Sequence, residues 1–425
     1  MKKEAFSHGD LIEITTFEGI KKGTYMPSSE KFLTLKLESG YNIGISKKKI
    51  KSIKLISKYK KPKENLCNVS KKKNLKTITI LHTGGTIASE VDYNTGAVTA
   101  KFTPEELICM FPELSNIANI ESKLIRNMFS EDIRFAHYNI LAKEIEKASK
   151  NSDGIIITHG TDTIGYTAAA LSFILENLNI PVILVGAQRS SDRPSTDAAI
   201  NLICASQFIA KSNFAEVAVC MHENMSDESC LILPGTRTRK CHSSRRDGFK
   251  AINSSPIAQV KTDGTINYIN SSFSKTSNLN LKLKLIKENL KIGWIKSHPN
   301  MYSKELEVYK SFDGLLIEGT GLGHFPINST DKETKEHSKM LNTIKALTKK
   351  IPVAMSTQAI SGRINMNVYS TGRLLQEAGV IGNYSDMQPE TAYIKLAWLL
   401  SNHKKEVKKL FTENLRGEIS KRSLE

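Results

Sequence analysis

Hydrophobic residues near the start of the chain alternate with polar ones at a period of two. Within residues 8–56, short apolar-rich runs are separated by turn residues such as Ser39 and Gly40. The runs are Leu11–Ile14, Phe32–Leu37 and Tyr41–Ile45. This pattern is typical of β-strands joined by tight turns, and it favours a hairpin at Ser39–Gly40. We therefore predict a small β-barrel domain over residues 1–56, followed by a charged linker without a periodic apolar face over residues 57–75.

From residue 77 onward, continuous apolar runs alternate with segments of helical period. The predicted strands are Thr77–His82, Asp153–Thr158, Pro181–Gly186, Glu216–Met221, Lys291–Ile295, Asp313–Glu318 and Pro352–Ser356. The predicted helices are 103–111, Ile133–Ser149, Thr163–Leu178, Thr196–Ala210, 336–349 and Pro389–Leu410. Strands that alternate with helices favour a parallel sheet covered on both faces. A segment rich in polar residues over 250–290 interrupts this α/β pattern. We therefore predict an N-terminal lobe over 76–275 and a C-terminal lobe over 290–425.

The composition excludes several classes of protein. The apolar runs are far shorter than a membrane span, and the first residues do not resemble a signal peptide, so we expect a cytoplasmic protein with no membrane contact. The six cysteines form no C-x-x-C pair, and the ten histidines show no spacing typical of a metal site. We therefore expect reduced, mostly packed thiols and no bound metal.

The net charge of +17 is concentrated at the N-terminus. Residues 1–76 contain 19 lysines, no arginine and 7 acidic residues. One interpretation is attraction to a polyanion such as RNA. The other is a solvated, lysine-rich surface, because the segment lacks the arginines and the aromatic stripe that are typical of RNA-binding domains. The sequence favours neither interpretation over the other.

Clusters of polar residues follow three of the predicted strands. They are Thr83–Thr86, His159–Thr163 and Gly186–Asp197. Ligands of parallel α/β sheets bind beyond the carboxyl ends of the strands, so these three loops are expected to surround one small molecule. The glycines of the first loop permit close approach of a substrate to backbone N–H groups, which are donors for an oxyanion. Its threonines supply a hydroxyl group, which needs a base to become a nucleophile.

Each cluster also has an interpretation without catalysis. The first loop is compatible with a plain turn or a phosphate-binding loop, although no P-loop motif follows. Thr161 and Asp162 are ordinary residues for a helix N-cap, and the third cluster contains residues suited to a cap and a local salt bridge. A further run, Gly319–Gly323, lacks the last glycine of a dinucleotide-binding motif, so we predict a tight strand-to-helix turn there.

Taken together, these motifs resemble the bacterial-type L-asparaginase family over roughly residues 77–410. The matching segments are Thr83–Ala88, His159–Thr163 and Val185–Ala187. The resemblance implies a two-lobed α/β fold in which Thr83 is the nucleophile. It implies further that Thr161, Asp162 and Lys240 complete the catalytic set. Ser130, Glu131 and Tyr93 are implied to contact the substrate, with Tyr93 on a mobile lid. His82 departs from the family pattern, in which a small residue is commoner.

The small N-terminal domain and the Gln188–Ala199 segment narrow the resemblance to one family, the D-type subunits of archaeal glutamyl-tRNA(Gln) amidotransferase. That resemblance implies a glutaminase that supplies ammonia to a larger partner, the E-type subunit, which acts on Glu-tRNA(Gln). It also implies a homodimer within a heterotetramer. No cofactor is expected on this chain, whereas ATP, together with Mg²⁺, is expected to be used by the E-type partner. Two alternatives are a stand-alone L-asparaginase and a non-catalytic tRNA-binding adaptor.

Overall fold

The computed structural model describes residues 6–38, 41–59, 71–85, 87, 89–91, 98–100, 104–189 and 195–423. Its small N-terminal domain is a five-stranded antiparallel sheet with the strand order β4-β3-β2-β1-β5. The strands are β1 (Leu11–Thr16), β2 (Gly19–Met26), β3 (Phe32–Lys36), β4 (Asn42–Ser46) and β5 (Ile50–Ser57). β1 has the alternation that the sequence predicted, with Ile12 and Ile14 buried against Leu33, Leu35 and Ile45.

The predicted hairpin joins β3 and β4, which pair antiparallel with Lys36 opposite Asn42. Its turn, Ser39–Gly40, lies outside the described residues. The sequence pattern did not indicate β2 and β5, because their exposed lysines interrupt the alternation. The pairing of β1 with β5 contains two register shifts, which indicate β-bulges in this part of the sheet.

The N-terminal lobe is built on an eight-stranded mixed sheet. Its helices are α1 (Pro104–Met110), α2 (Leu114–Ile117), α3 (Phe135–Ala148), α4 (Ile164–Ile174) and α5 (Ala198–Lys211). Its strands, in chain order, are β6 (Thr77–His82), β7 (Ser89–Val91), β8 (Val98–Ala100), β9 (Asn119–Leu124), β10 (Gly154–Thr158), β11 (Leu175–Glu176), β12 (Val182–Val185), β13 (Val217–His222), β14 (Ser229–Pro234), β15 (Thr238–Lys240), β16 (Phe249–Ala251), β17 (Ala258–Lys261), β18 (Ile266–Tyr268) and β19 (Lys282–Leu283).

The order of the large sheet is β18-β17-β14-β13-β12-β10-β6-β9. The sequence predicted β6, β10, β12 and β13, and these four strands run parallel as expected. β9, which the sequence did not indicate, pairs parallel with β6, whereas β14, β17 and β18 are antiparallel. The antiparallel strands at this edge all follow β13 in the chain, and the sequence pattern did not indicate them. The connection from β13 to β14 is a short loop, which suffices for an antiparallel pair but not for a parallel crossover. Two further small pairs, β11 with β19 and β15 with β16, lie outside this sheet.

The C-terminal lobe has a three-stranded parallel sheet in the order β20-β21-β22. Its strands are β20 (Ile292–Lys296), β21 (Gly314–Gly319) and β22 (Val353–Thr357). Its helices are α6 (Lys304–Glu307), α7 (Lys335–Thr348), α8 (Ser370–Glu377), α9 (Pro389–Asn402) and α10 (Val407–Leu410). The single helix predicted over 389–410 is therefore two helices, and α8 was missed.

The run Gly319–Gly323 forms a tight turn after β21. Reciprocal backbone hydrogen bonds of 2.9 Å between Thr320 and His324 close this turn. The helix predicted near 336–349 is α7, which begins at Lys335 and so does not follow the turn directly. The turn therefore does not place a helix N-terminus at the end of β21, as a dinucleotide-binding fold requires.

Packing of α4 against α9 joins the two lobes through a shared apolar core. The ring centroids of Phe173 in α4 and Trp398 in α9 are 5.5 Å apart. Buried residues of the C-terminal sheet, among them Leu316 and Ala354, belong to the same cluster as the buried face of α4. The two lobes therefore share one hydrophobic interior. Within the described residues, no helix combines the length and the hydropathy that crossing a membrane requires.

Candidate active site

Thr83 follows β6 directly and is almost fully buried. Its backbone N–H and its hydroxyl both donate to the carbonyl of Thr158 at the end of β10, at 3.2 and 2.9 Å. The Thr83 carbonyl in turn accepts from the amide of Met128 at 3.1 Å. The loop after β6 is therefore fixed between the end of the neighbouring strand and the segment that precedes Ser130.

The two glycines after Thr83 are required by their backbone conformation. Gly84 and Gly85 have φ angles of +115° and +83°, in the region that favours glycine. A Cβ atom on Gly84 would lie 2.3 Å from the carbonyl oxygen of Met128, and one on Gly85 would lie 2.9 Å from the amide nitrogen of Gly160. The first and second loops are thus in direct backbone contact, as the position of both motifs at strand ends predicted.

Thr161, Asp162 and Lys240 form one hydrogen-bonded group. The ammonium of Lys240 donates to Thr161 Oγ1 at 2.9 Å and to Asp162 Oδ1 at 2.8 Å. The Lys240 side chain is 15% exposed, while that of Asp162 is 67% exposed. Lys240 lies on β15, which pairs with β16 and is far from Thr161 in the sequence, so only the tertiary fold brings these groups together.

The three residues that the resemblance implied in substrate binding, Ser130, Glu131 and Tyr93, differ in their surroundings. Ser130 is buried against the second loop, because a Cβ on Gly160 would lie 2.8 Å from that of Ser130. Its carbonyl accepts a 2.6 Å hydrogen bond from the hydroxyl of Thr163. Glu131 is exposed beside it. Tyr93 lies outside the described residues.

Thr83 and Ser130 thus border the Thr161–Asp162–Lys240 group through contacts of their loops. In the conformation described, the Thr83 hydroxyl donates to the Thr158 carbonyl and not to Lys240. This hydroxyl must rotate away from Thr158 before it can donate to another acceptor.

Two histidines beside the site are buried and neutral at neutral pH. His82 lies with Nδ1 2.8 Å from the Thr158 hydroxyl and Nε2 3.0 Å from that of Ser122. Burial lowers the pKa of His82 to about 3. His159 contacts the Gly160 carbonyl at 2.7 Å and the Thr167 hydroxyl at 2.8 Å, and burial lowers its pKa to about 4. Both rings support the ends of β6 and β10, because their nitrogens are engaged with neighbouring side chains and backbone.

The third loop is organised by Asp197, a residue whose function the sequence did not reveal. The Asp197 carboxylate is fully buried and accepts from the backbone amides of Gln188 and Arg189, at 3.0 and 2.9 Å. It also accepts from Asn201 at 3.1 Å. The side chain of Gln188 donates to the carbonyl of Arg245 at 3.0 Å, in the loop that follows Lys240. The third loop and the lysine-bearing segment are therefore connected. An Asp before a helix suggests a cap, so no sequence signal indicated these contacts.

Within the residues that the structure describes, no group of three or more His, Cys, Asp or Glu side chains is arranged to hold a metal ion. Cys204, Cys220 and Cys230 are free and buried, and Cys241 is free and exposed. Cys109 is disulfide-bonded, so the expectation of reduced thiols is wrong for this residue.

Models of three protein families match successive parts of the chain. The GatD N-terminal domain matches residues 6–56. Asparaginase, N-terminal, matches residues 77–273, and the Glutaminase/Asparaginase C-terminal domain matches residues 291–411.

Solved structures similar to this chain include two L-asparaginases. The thermostable L-asparaginase of Thermococcus kodakarensis has a TM-score of 0.70 at 30% identity and covers 81% of this chain and 100% of its own. L-asparaginase I of Vibrio cholerae has a TM-score of 0.68 at 27% identity and covers 81% of this chain and 99% of its own. The predicted asparaginase-like α/β fold, preceded by a small β-domain, is thereby confirmed.

Two curated relatives extend over nearly the whole chain, and both are D-type subunits of glutamyl-tRNA(Gln) amidotransferase. The relative from Pyrococcus furiosus is 45% identical over 436 aligned residues, which cover 99% of this chain and 96% of that protein. The relative from Methanococcus maripaludis is 44% identical over 422 residues, which cover 97% of this chain and 98% of that protein. The chain therefore belongs to the family of glutamyl-tRNA(Gln) amidotransferase D-type subunits.

Proposed function

We propose that this chain is the glutaminase component of a tRNA-dependent amidotransferase, releasing ammonia from glutamine for the conversion of Glu-tRNA(Gln) to Gln-tRNA(Gln). The observation that carries the proposal is the contact of the Lys240 ammonium with both Thr161 Oγ1 and Asp162 Oδ1, beside the loop of Thr83. A hydroxyl nucleophile needs a base to accept its proton. The hydrogen bond between Lys240 and the Thr161 hydroxyl provides a route for that proton.

In this mechanism Thr83 Oγ1 attacks the side-chain amide carbon of glutamine. The Thr83 proton passes through the Thr161 hydroxyl to the side-chain nitrogen of Lys240, and Asp162 stabilises the charge on that nitrogen. Backbone N–H groups of the glycine-rich loop hold the oxyanion. Collapse of the tetrahedral intermediate breaks the C–N bond, and the departing nitrogen takes the proton back from Lys240 through the Thr161 hydroxyl to leave as ammonia. Water then hydrolyses the acyl-enzyme to glutamate.

Ser130 contacts the substrate in this proposal, supported by its position beside the second loop, where its carbonyl accepts from the Thr163 hydroxyl. Glu131 and Tyr93 complete substrate binding in this proposal. No cofactor is bound by this chain. The E-type partner uses ATP and Mg²⁺ to activate Glu-tRNA(Gln), and two copies of each protein form a heterotetramer that acts in the cytoplasm.

An amidation assay tests this function directly. The full-length chain, with and without its E-type partner, is supplied with Glu-tRNA(Gln), ATP and glutamine, and Gln-tRNA(Gln) is measured. Thr83→Ala and Lys240→Met are expected to abolish glutamine-dependent amidation while leaving ammonium-dependent amidation intact. Thr262→Ala, which alters an exposed threonine outside the site, is the control. Normal ammonia release from glutamine by either site variant would disprove the assigned roles.

The alternative of a stand-alone L-asparaginase has one observation in its favour, the likeness of residues outside the small β-domain to solved L-asparaginases. It predicts a high kcat/KM for asparagine in the absence of the E-type partner. The match of residues 6–56 to the GatD N-terminal domain favours the amidotransferase instead. A non-catalytic tRNA-binding adaptor would retain full function after Thr83→Ala.

A further inference from the structure

The segment that carries Lys240 belongs to the N-terminal lobe by sequence, yet the C-terminal lobe contacts each residue from Thr236 to Arg239. The Thr236 carbonyl accepts from the Thr391 hydroxyl at 2.8 Å. The Thr238 carbonyl accepts from the side-chain amide of Gln388, also at 2.8 Å. Arg239 lies 3.4 Å from the carboxylate of Glu390. These partners come from the first turn of α9 and the residue before it, so one short stretch of the C-terminal lobe holds the backbone that leads to the lysine.

Arg237 makes the most extensive of these contacts. Its guanidinium lies 3.3 Å from Asp386 Oδ2, with the two side chains only 3% and 1% exposed. The same guanidinium donates to the carbonyl of Gly417 at 2.8 Å and to the hydroxyl of Ser420 at 2.9 Å. Asp386 also accepts from the Ser420 amide at 3.1 Å. The C-terminal segment of the chain thus closes over a buried ion pair three residues from Lys240.

The segment from Thr236 to Lys240 also lies against α4, the helix that follows Thr161 and Asp162. A Cβ on Gly165, at the start of α4, would lie 2.7 Å from the Thr238 carbonyl. The lysine-bearing segment is therefore confined between α4, which follows Thr161 and Asp162, and the C-terminal lobe. Beyond it, Lys240 extends to Thr161 and Asp162.

We infer that Arg237 and Asp386 are positioning residues for Lys240. Packing of the C-terminal lobe, including its segment from Gly417 to Ser420, against the lysine-bearing segment then sets the distance between Lys240 and Thr161. This inference rests on the proposed function, since it requires Lys240 to act in catalysis. The physical reason is that a hydrogen-bond contact of 2.9 Å tolerates little displacement, and a shift of about 1 Å at a catalytic group costs on the order of 100-fold in rate. Neither Arg237 nor Asp386 belongs to the Thr161–Asp162–Lys240 group or to the residues assigned to substrate binding.

Steady-state glutaminase kinetics of the complex test the inference. Arg237→Gln and Asp386→Asn are expected to lower kcat by about 10- to 100-fold while KM for glutamine changes less than about twofold. Arg237→Lys retains the charge opposite Asp386 but loses the forked contacts with Gly417 and Ser420, so an intermediate kcat is expected.

The control is Leu347→Ala, which removes a fully buried side chain of α7 from the hydrophobic cluster inside the C-terminal lobe. It destabilises that lobe without altering the residues around Arg237, so kcat is expected to stay near the wild-type value in the folded protein. Thermal midpoints are measured for all variants, so that kcat is compared at an equal loss of stability. Equal kcat losses in Leu347→Ala and Arg237→Gln, or a wild-type kcat in folded Arg237→Gln, would overturn the inference.

Lys240→Met separates this inference from the proposed function. An inactive Lys240→Met protein together with a fully active Arg237→Gln protein would remove only the positioning role. An active Lys240→Met protein would remove the proposed function, and the positioning role with it.

Discussion

His82 makes the stability of the fold depend on pH in a direction that the structure determines. The ring is fully buried between Thr158 and Ser122, and burial lowers its pKa from 6.5 to about 3. The folded state binds a proton at His82 more weakly than the unfolded state does. The contribution of neutral His82 to the unfolding free energy is therefore fully present above pH 6.5 and is lost as the pH falls towards 3. At pH 5 this loss amounts to about 2 kcal/mol, and it grows by about 1.4 kcal/mol for each further pH unit down to 3.

The assay is guanidinium unfolding of the wild-type protein and His82→Asn at pH 8 and pH 5, followed by far-ultraviolet circular dichroism. The asparagine retains a polar group near Nδ1 but does not titrate. The difference in unfolding free energy between the two proteins is expected to shift by about 2 kcal/mol against the wild type at pH 5, while contributions shared by both proteins, such as that of His159, cancel.

His298→Asn is the control of opposite sign. His298 is exposed, and its pKa is raised by the hydrogen bond with the Pro299 carbonyl and by Glu305. Its stabilisation is therefore present below pH 6.5 and lost as the pH rises through the folded-state pKa, so removal of the ring is expected to weaken the protein slightly at pH 5 only. A wild-type-to-His82→Asn difference that is the same at both pH values would refute the argument that burial keeps His82 neutral.

Three further predictions concern the turn at Gly84, a second buried ion pair between Lys395 and Glu418, and the third loop. Gly84→Ala is expected to lower kcat by about 100-fold or more, because its Cβ would collide with a backbone oxygen. The control is Gly362→Ala, where φ is also positive, at +100°, but the space around the new Cβ is open. It should lower the stability in a thermal melt by about 1–2 kcal/mol and leave kcat unchanged. Glu418→Gln leaves the fully buried ammonium of Lys395, 2.6 Å from Glu418, without its counter-charge, and should cost roughly 3–5 kcal/mol in denaturant unfolding. Replacing Lys395 by Met and Glu418 by Leu together should still destabilise the protein, because the amides of Leu415 and Arg416 lose Glu418 as their acceptor. Asp197→Ala removes the acceptor of two backbone amides and is expected to raise KM for glutamine and to cost about 1–3 kcal/mol per unsatisfied donor, measured by kinetics and denaturant unfolding.

The sequence by itself determined the α/β class and the position of the three polar loops. Continuous apolar runs such as that over 154–157 specify buried strands because a strand covered on both faces excludes most polar side chains. The end of such a run places Thr83 and Thr161 at one edge of a parallel sheet, and the two motifs were specific enough to indicate the family. These conclusions depend only on local periodicity and on residue identity, so the chain alone was sufficient for them.

The tertiary structure decided what depends on neighbours distant in the chain. It placed β14, β17 and β18 antiparallel at the sheet edge, where no helix follows β13 to make a parallel crossover. It made Asp197 a ligand of backbone amides and His82 a neutral ring, because desolvation is set by the surroundings and not by the residue type. It also brought Arg237 against Asp386 across the lobe interface, a contact between residues 149 positions apart that no local pattern encodes.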